Sequence, residues 1–384
     1  MSIQVGLIGV SGYAAAHRRY IEECDARLAA VVIRVPYAPG LGEPEIEQQL
    51  RSSGVRVYRT YQEMFAAEKG KLELVGVPVG IPFHEEISVA ALDAGFNVLC
   101  EKPAAGSLAE VDRMIAAAER SPGFLSIGFQ NIASHSIQRI AADVRSKKFG
   151  KLVRAKGFGV WPRGDAYYRR NEWAGAMECH GRVVFDSPLQ NALAHFVMNM
   201  LFIAGVAGPG VPGKVTGENF RAKPIASADT QFIRVTTDAG AELEFWATHA
   251  ARIPTEPGLT VECEEAVYDW VYRGEAGWGV TTVRRGETVI DEFSNGSENA
   301  HTLSYSDAIG AIVDGRTPSC PITAARAHTY CIEELFRVAP VREVAREYRD
   351  GEGFETVVTE IEDTIARAHA GDLSFAESGS AWAR

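Results

Sequence analysis

Over roughly its first 130 residues the chain alternates short apolar runs with amphipathic stretches of helix length, and no other feature restricts its fold so strongly. The runs are Ile3–Ile8, Leu28–Ile33, Val55–Tyr58, Leu72–Val77, Asn97–Cys100 and Leu125–Phe129. Between them lie Tyr13–Cys24, Tyr61–Glu68, Phe83–Ala94 and Leu108–Glu119, each with the spacing of a helix. Strand, helix, strand, repeated, predicts an α/β domain with a doubly wound parallel sheet, which binds ligands at the carboxyl ends of its strands.

A linking helix is expected near 136–146, and after it the pattern changes. Period-two segments take over: Val153–Trp161, Val215–Lys223, Gln231–Thr237, Ala241–His249, Leu259–Val267 and Val280–Arg284. These predict a large, mostly antiparallel sheet. A helix over Asn191–Ile203 interrupts them, and helices near Ser304–Val313 and Ala324–Phe336 follow. With 384 residues, two domains are expected. The division reads as a nucleotide-type domain over 1–132 and an α+β domain over 133–384, with the active site in a cleft between them.

Bulk properties remove several functional classes. A net charge of −11 argues against nucleic acid or an anionic membrane as partner. There is no apolar run of about 18 residues, so no membrane span is expected. The start, MSIQVGLIG, shows neither a basic n-region nor a cleavage site, so the expected location is cytoplasmic. Six scattered cysteines without a C-x-x-C pair suggest a reducing compartment and no metal site.

The first strand runs into "VGLIGVSGYAAAH". A dinucleotide loop wants G-x-G-x-x-G, whereas this frame reads Gly9, Ser11, Ala14, with an extra Gly12. Gly9 suits the tight turn, and Ala14 is small enough for helix to pack on strand. Ser11 can donate to a phosphate oxygen, and Gly12 leaves the helix entrance open to an anion. The alternative is a plain tight turn between strand and helix. The second strand ends Val32-Ile33-Arg34-Val35, with no acid before Glu43 to accept from a ribose 2′-hydroxyl. Arg34 can pair with a 2′-phosphate, so the cofactor tilts from NAD toward NADP, unless Arg34 is only a solvated strand-end charge.

The fifth strand ends "NVLCEKPAAGS", which sets Glu101 and Lys102 at the ligand end of the sheet, with a proline fixing the backbone behind them. Here the sequence resembles the Gfo/Idh/MocA oxidoreductases. The resemblance is carried by the glycine loop ending in His17, by "VGVPVGIPFHEEISVAALDAGFNVLCEKP" and, more loosely, by "FDSPLQNALAHFVMNMLF". It implies a Rossmann domain followed by an α+β domain whose open sheet makes a homodimer or homotetramer. It also implies hydride transfer between NAD(P) and a secondary hydroxyl of a sugar, polyol or related compound. Relatives on this fold that retain the cofactor for redox-assisted elimination, epimerisation or glycoside cleavage, and a non-catalytic dinucleotide-binding regulator, are the alternatives.

The resemblance assigns Lys102 to the substrate hydroxyl and the nicotinamide ribose. It places Pro78 and His84 on the nicotinamide side; the full set of cofactor candidates adds Gly9, Ser11, Gly12, Tyr13, Arg34 and Glu101. The family pattern G-G-G-x-x-x-D-x-x-x-H is only partly present: Gly181 and Asp186 match, but Gln190 stands where histidine is expected. Asn191 and His195 follow. Four apart, they would share one face of the expected helix, which makes His195 the leading acid/base candidate with Asp186 and Lys102 as competitors. A core histidine is an equal reading of His195, and His180 is a further competitor.

The stretch "WPRGDAYYRRNEWAGAMECHGR" is dense in aromatic and basic residues suited to stacking on sugar rings and binding hydroxyls or a carboxylate. Its substrate candidates are Trp161, Arg163, Tyr168, Arg169 and Trp173, with Tyr167 and Asn171 as further members and Asn191 from the following segment. A loop packed by its own aromatics is the alternative. Asn299 and His301 are read as a helix cap rather than a ligand contact.

Overall fold

The structure, a computed structural model, describes residues 2–33, 44–274, 277–297 and 299–384. In chain order the first elements are β1 (Gln4–Ile8), α1 (Tyr13–Glu23), β2 (Arg27–Val32), α2 (Pro44–Ser52), β3 (Arg56–Tyr58), α3 (Tyr61–Glu68) and β4 (Leu74–Val77). Next come α4 (His84–Asp93), β5 (Asn97–Cys100), α5 (Leu108–Arg120), β6 (Leu125–Ile127), α6 (His135–Arg145), β7 (Leu152–Val160) and α7 (Asp165–Tyr168). A hairpin of β8 (Glu178–Cys179) and β9 (Arg182–Val183) precedes α8 (Ala194–Ile203). Strands β10 (Lys214–Arg221), β11 (Thr230–Thr236), β12 (Glu242–Thr248), β13 (Thr255–Cys263), β14 (Val267–Gly274), β15 (Gly277–Arg285) and β16 (Thr288–Phe293) follow. The chain ends with α9 (Leu303–Asp314), α10 (Ile322–Val338), β17 (Val341–Glu343), β18 (Arg349–Asp350), β19 (Val357–Val358) and α11 (Ile361–Gly371).

Two compact units result: Met1–Ala133 with Asn299–Arg326, and Ser134–Glu298 with Ala327–Arg384. The first holds a six-stranded parallel sheet in the order β3-β2-β1-β4-β5-β6, the predicted doubly wound topology. Apart from the edge strand β3, its strands are buried nearly throughout, which is why they read as continuous apolar runs. Helices α3 and α5 begin with complete capping boxes, Thr60/Glu63 and Ser107/Glu110. Helix α2, absent from the sequence reading, follows a Pro- and Gly-rich stretch that hides its start. The return segment earns its place here because Tyr305 and Ala308 of α9 lie in the same core cluster as Leu7, Val31 and Leu99.

The second unit is built on a nine-stranded sheet, β16-β15-β14-β13-β7-β12-β11-β10-β17, antiparallel except for the β7–β12 and β10–β17 pairs. The expected strand Leu259–Val267 is corrected: it straddles the turn between β13 and β14, because Cys263 N bonds back to Ala266 O. Alternation along β12 sends Phe245 onto Phe196 of α8 and Trp246 to the other face, where its indole N–H donates to Leu373 O. On that other face α11 and the C-terminal residues cover β7, β12, β11 and β10 in one apolar cluster, ending with Trp382 edge-on to Phe220.

The helix expected over Asn191–Ile203 is also corrected. Residues 187–193 are turns and α8 starts at Ala194, so Asn191 and His195 do not share a helix face. Arg34 falls outside the described residues.

Candidate active site

In the first unit, β1 runs into Gly9, whose φ of 102° turns the chain and whose N–H donates to Val32 O at 2.9 Å. Gly12, at φ 59°, is the N-cap of α1. It supplies no side-chain cap, and the first turn of α1 carries no acidic residue, in contrast to α3 and α5. A helix N-terminus left without a side-chain acceptor and open above Gly12, where an added Cβ would meet nothing within 4 Å, fits the pyrophosphate of a dinucleotide. Ser11 is half-buried and Tyr13 half-exposed beside this entrance, while Ala14 is buried where the third glycine would pack.

The Glu101-Lys102-Pro103 turn follows β5, with a cis bond at Pro103. Glu101 is held from two sides. His17 of α1 places Nε2 at 3.2 Å from Glu101 Oε1, and the Lys102 amide donates to Oε2 at 3.1 Å. The other ring nitrogen of His17, Nδ1, lies 2.9 Å from the Tyr305 hydroxyl. Burial raises the Tyr305 hydroxyl well above its ordinary value, with Glu101 adding to the effect, so Tyr305 keeps its proton and donates to Nδ1. His17 with one proton on Nε2 then satisfies both partners.

Burial pushes the Glu101 carboxyl up, but the His17 hydrogen bond and the charge of Lys102 outweigh it and hold the carboxyl below its ordinary value. Two glycines make room for this chain. An added Cβ at Gly76 in β4 would lie 2.6 Å from the Tyr305 hydroxyl, and one at Gly128 would lie 3.0 Å from Glu101 Oε1. Behind the turn, His84 is buried with Nδ1 2.8 Å from Pro103 O and Nε2 3.1 Å from Val79 O. Burial depresses its basicity, and the neutral ring, with a single N–H, donates to one of these two carbonyls from beneath the turn. Pro78 is buried at the end of β4.

In the second unit Asp186 is only 2% exposed. Its Oδ2 accepts from the Gly175 amide at 2.7 Å and its Oδ1 from Asn191 Nδ2 at 2.7 Å. Asn191 also reaches the Tyr167 hydroxyl at 3.4 Å. Arg170 comes within 3.6 Å of Asp186 and sits over Tyr167, its Cζ 3.5 Å from the ring centroid, with Trp173 at 4.9 Å. Arg163 sits over Tyr167 at 5.1 Å and over Trp161 at 5.7 Å. His249 is buried against Tyr167; burial, then the charges of Arg163, Lys223 and Arg170, push its basicity well down. Arg163 and Lys223 also line a cavity of about 360 Å³ with Arg252 and Glu355.

Residues 3–129 match the family model described as "Oxidoreductase family, NAD-binding Rossmann fold". That match places residues 3–129 with the Gfo/Idh/MocA oxidoreductases. Curated relatives include a trans-1,2-dihydrobenzene-1,2-diol dehydrogenase of Danio rerio, 43% identical over 18% of this chain and 20% of its own. An inositol 2-dehydrogenase of Corynebacterium glutamicum is 24% identical over 41% of this chain and 45% of its own. The chain thus spans less than half the length of these relatives. Among solved structures, the UDP-N-acetylglucosamine 3-dehydrogenase GnnA of Acidithiobacillus ferrooxidans has a TM-score of 0.70 at 17% identity, covering 88% of this chain and 98% of its own. The WlbA dehydrogenase of Bordetella pertussis, in complex with NADH and UDP-GlcNAcA, has a TM-score of 0.69 at 19% identity over 88% and 96%. At these identities the structures share the fold.

Within this Gfo/Idh/MocA frame the residues singled out in the sequence separate into groups. Gly9, Ser11, Gly12 and Tyr13 surround the entrance of α1, and Lys102 ends β5 half-buried. Glu101 and His84 hold the turn in shape from within the first unit. Asp186, Asn191, Arg163 and Trp173 meet in one cluster of the second unit, and Trp161 borders it. His195 is half-buried in the first turn of α8. Tyr168 is instead buried on Phe354, and Arg169 is exposed and paired with Asp165. Asn299 caps the single 3₁₀ turn that precedes α9, its side chain accepting from the His301 amide, whereas α9 itself has no side-chain cap. Arg170, His249 and Tyr305 were not singled out. For Arg170 the aromatic neighbours Tyr167 and Trp173 were a signal; for Tyr305 nothing local was.

Proposed function

We propose that the protein is an NAD(P)-dependent dehydrogenase acting on a secondary hydroxyl, or the matching carbonyl, of a sugar, polyol or related hydroxy compound. The braced Glu101-Lys102-Pro103 turn carries this reading, since it sets a lysine at the ligand end of a sheet that matches an NAD-binding family. A bound nicotinamide would supply the hydride acceptor or donor. Lys102 Nζ stabilises the developing alkoxide and takes part in moving the hydroxyl proton. Asp186, as a carboxylate ordered by two N–H donors, and His195 complete the proton-handling set. Trp161, Arg163, Trp173 and Asn191 present the faces and donors that suit a polyhydroxylated or carboxylated ring. Tyr168 and Arg169 take supporting positions in the same stretch.

NADP is the proposed preference, on the absence of an acid before Glu43 and on Arg34. An unchanged ratio of KM for NADPH and NADH in Arg34→Ala would remove that preference. A homodimer or homotetramer is proposed through β13–β16, the part of the large sheet not covered by α11 and the C-terminal residues, and light scattering reads it directly. The central test is turnover of a panel of sugars and polyols followed by nicotinamide absorbance. Lys102→Met is expected to lower kcat by about 10²–10³-fold with cofactor affinity nearly unchanged. A variant with near-wild-type kcat refutes the role.

A further inference from the structure

No residue of the hairpin β8–β9 enters the proposed proton-handling set, although the hairpin closes the same aromatic and basic stretch. Cys179 pairs with Arg182 across a two-residue turn, His180-Gly181, in which both residues have positive φ, 52° and 72°. That turn turns the His180 side chain back toward Glu172, and His180 Nε2 lies 3.1 Å from Glu172 Oε2. Cys179 Sγ completes a triangle in which all three ligand atoms lie within 4.8 Å of one another. Among the described residues this is the one group of three or more His, Cys, Asp or Glu side chains so arranged.

We propose that Glu172, Cys179 and His180 form a binding site for a zinc-class divalent cation. Around a tetrahedral ion with bonds of about 2.0–2.3 Å, neighbouring ligand atoms are about 3.3–3.6 Å apart. The imidazole–carboxylate edge already has that length to within a few tenths of an ångström. The edges to sulfur need to shorten by no more than about 1.3 Å, which rotation of partly exposed side chains supplies without moving the backbone. The donors are one sulfur, one nitrogen and one oxygen, a set that favours Zn²⁺ over the all-oxygen preference of Mg²⁺ and Ca²⁺. As the sulfur–metal bond forms, the thiol proton passes to solvent. The imidazole binds through an unprotonated ring nitrogen, and water fills the fourth position.

The consequence is mechanical. The hairpin is tied to the Asp186 cluster: Val184 N and Phe185 N donate to Met177 O, Asp186 N donates to Ala176 O, and Gly175 N donates to Asp186. Glu172 lies on the other arm, between Arg170, which covers Tyr167, and Trp173. A cation on Glu172, Cys179 and His180 joins the two arms and fixes the stretch that carries Arg170. The proposal does not depend on the dehydrogenase reading, because its test needs no substrate or cofactor.

The test is titration of the chelator-stripped full chain with Co²⁺ alone. One equivalent per chain is expected to raise a near-ultraviolet thiolate-to-cobalt band with the intense visible bands of tetrahedral cobalt, and Zn²⁺ is expected to abolish both. Cys179→Ser should lose the thiolate band, and Glu172→Gln and His180→Ala should each weaken binding at least tenfold. Far-ultraviolet circular dichroism checks that the variants remain folded. No thiolate band at stoichiometric cobalt, or a band that survives in Cys179→Ser and so belongs to another thiol, overturns the proposal. So does a Zn²⁺-induced rise in Tm that is equal in wild type and Glu172→Gln.

Discussion

The bond from Tyr305 to His17 and the space left by Gly76 should be energetically coupled, and a double-mutant cycle measures the coupling. Tyr305→Phe removes the hydroxyl 2.9 Å from His17 Nδ1 and leaves a buried acceptor without its donor, at a cost of about 1–3 kcal/mol. Gly76→Ala puts a Cβ 2.6 Å from the same hydroxyl, so the ring must move and the same bond is lost. Added to the crowding, the expected loss is about 2–4 kcal/mol. In the double variant the hydroxyl is gone, and the next contact of the new Cβ with that ring, to its Cζ, is an ordinary 3.6 Å. Only Leu7 Cδ1, at 3.0 Å, then has to give way. The double variant should therefore be no less stable than Tyr305→Phe alone, helped by the smaller unfolded-state entropy of alanine, about 0.4–1 kcal/mol. Urea unfolding of the four proteins reads the coupling, expected at about 2 kcal/mol or more. Additive losses, within about 0.5 kcal/mol, would show that Gly76 does not make room for the Tyr305–His17 bond.

Other outcomes follow from the same geometry. Gly12→Val places a β-branched residue at φ 59° over the α1 amides, and fluorescence titration should find NAD(P)H binding weakened at least tenfold in a folded protein. Asp186→Asn sets an amide N–H₂ against one of two donors, Gly175 N or Asn191 Nδ2. It should cost about 1–3 kcal/mol in urea unfolding and lower kcat/KM. His249 and His84 have folded basicities below their ordinary value, so the unfolded chain binds more protons as acidity rises. Stability is then fully present above about pH 6.5 and falls below it, by at most about 1.4 kcal/mol per pH unit for each ring. Urea midpoints between pH 7 and 5 should fall less steeply in His249→Gln, and an unchanged slope would contradict the assignment. Glu101 acts at lower pH: its folded carboxyl lies below the ordinary value, so its contribution persists at neutral pH and is lost as pH falls through the folded value. Glu101→Gln should lose stability at pH 7 and converge with wild type in acid.

The first unit was legible because its strands, apart from the edge strand β3, are buried on both faces and its helices on one, so burial is written as local periodicity. The Asp186 cluster was legible only in part. Tyr167, Arg163 and Trp173 stand out by composition, but Asn191 reaches Asp186 from a turn, and a four-residue spacing cannot tell a turn from the first coil of α8. Tyr168 and Arg169 show the same limit: neighbours at the end of the short helix α7, one is buried on Phe354 and the other faces solvent with Asp165.

The sequence by itself determined the parallel sheet, its glycine entrance and the Glu101-Lys102-Pro103 strand end, since these depend on residues within one strand–turn–helix of each other. Only the tertiary structure decided what holds that strand end. His17 and Glu101 are 84 positions apart and Tyr305 is 288 beyond His17, and they meet because α9 returns to the first core. It also decided that Glu172 lies against the turn carrying Cys179 and His180. Such contacts are set by which apolar faces bury against each other, and a polar side chain's partner is then whatever that packing brings within about 3 Å.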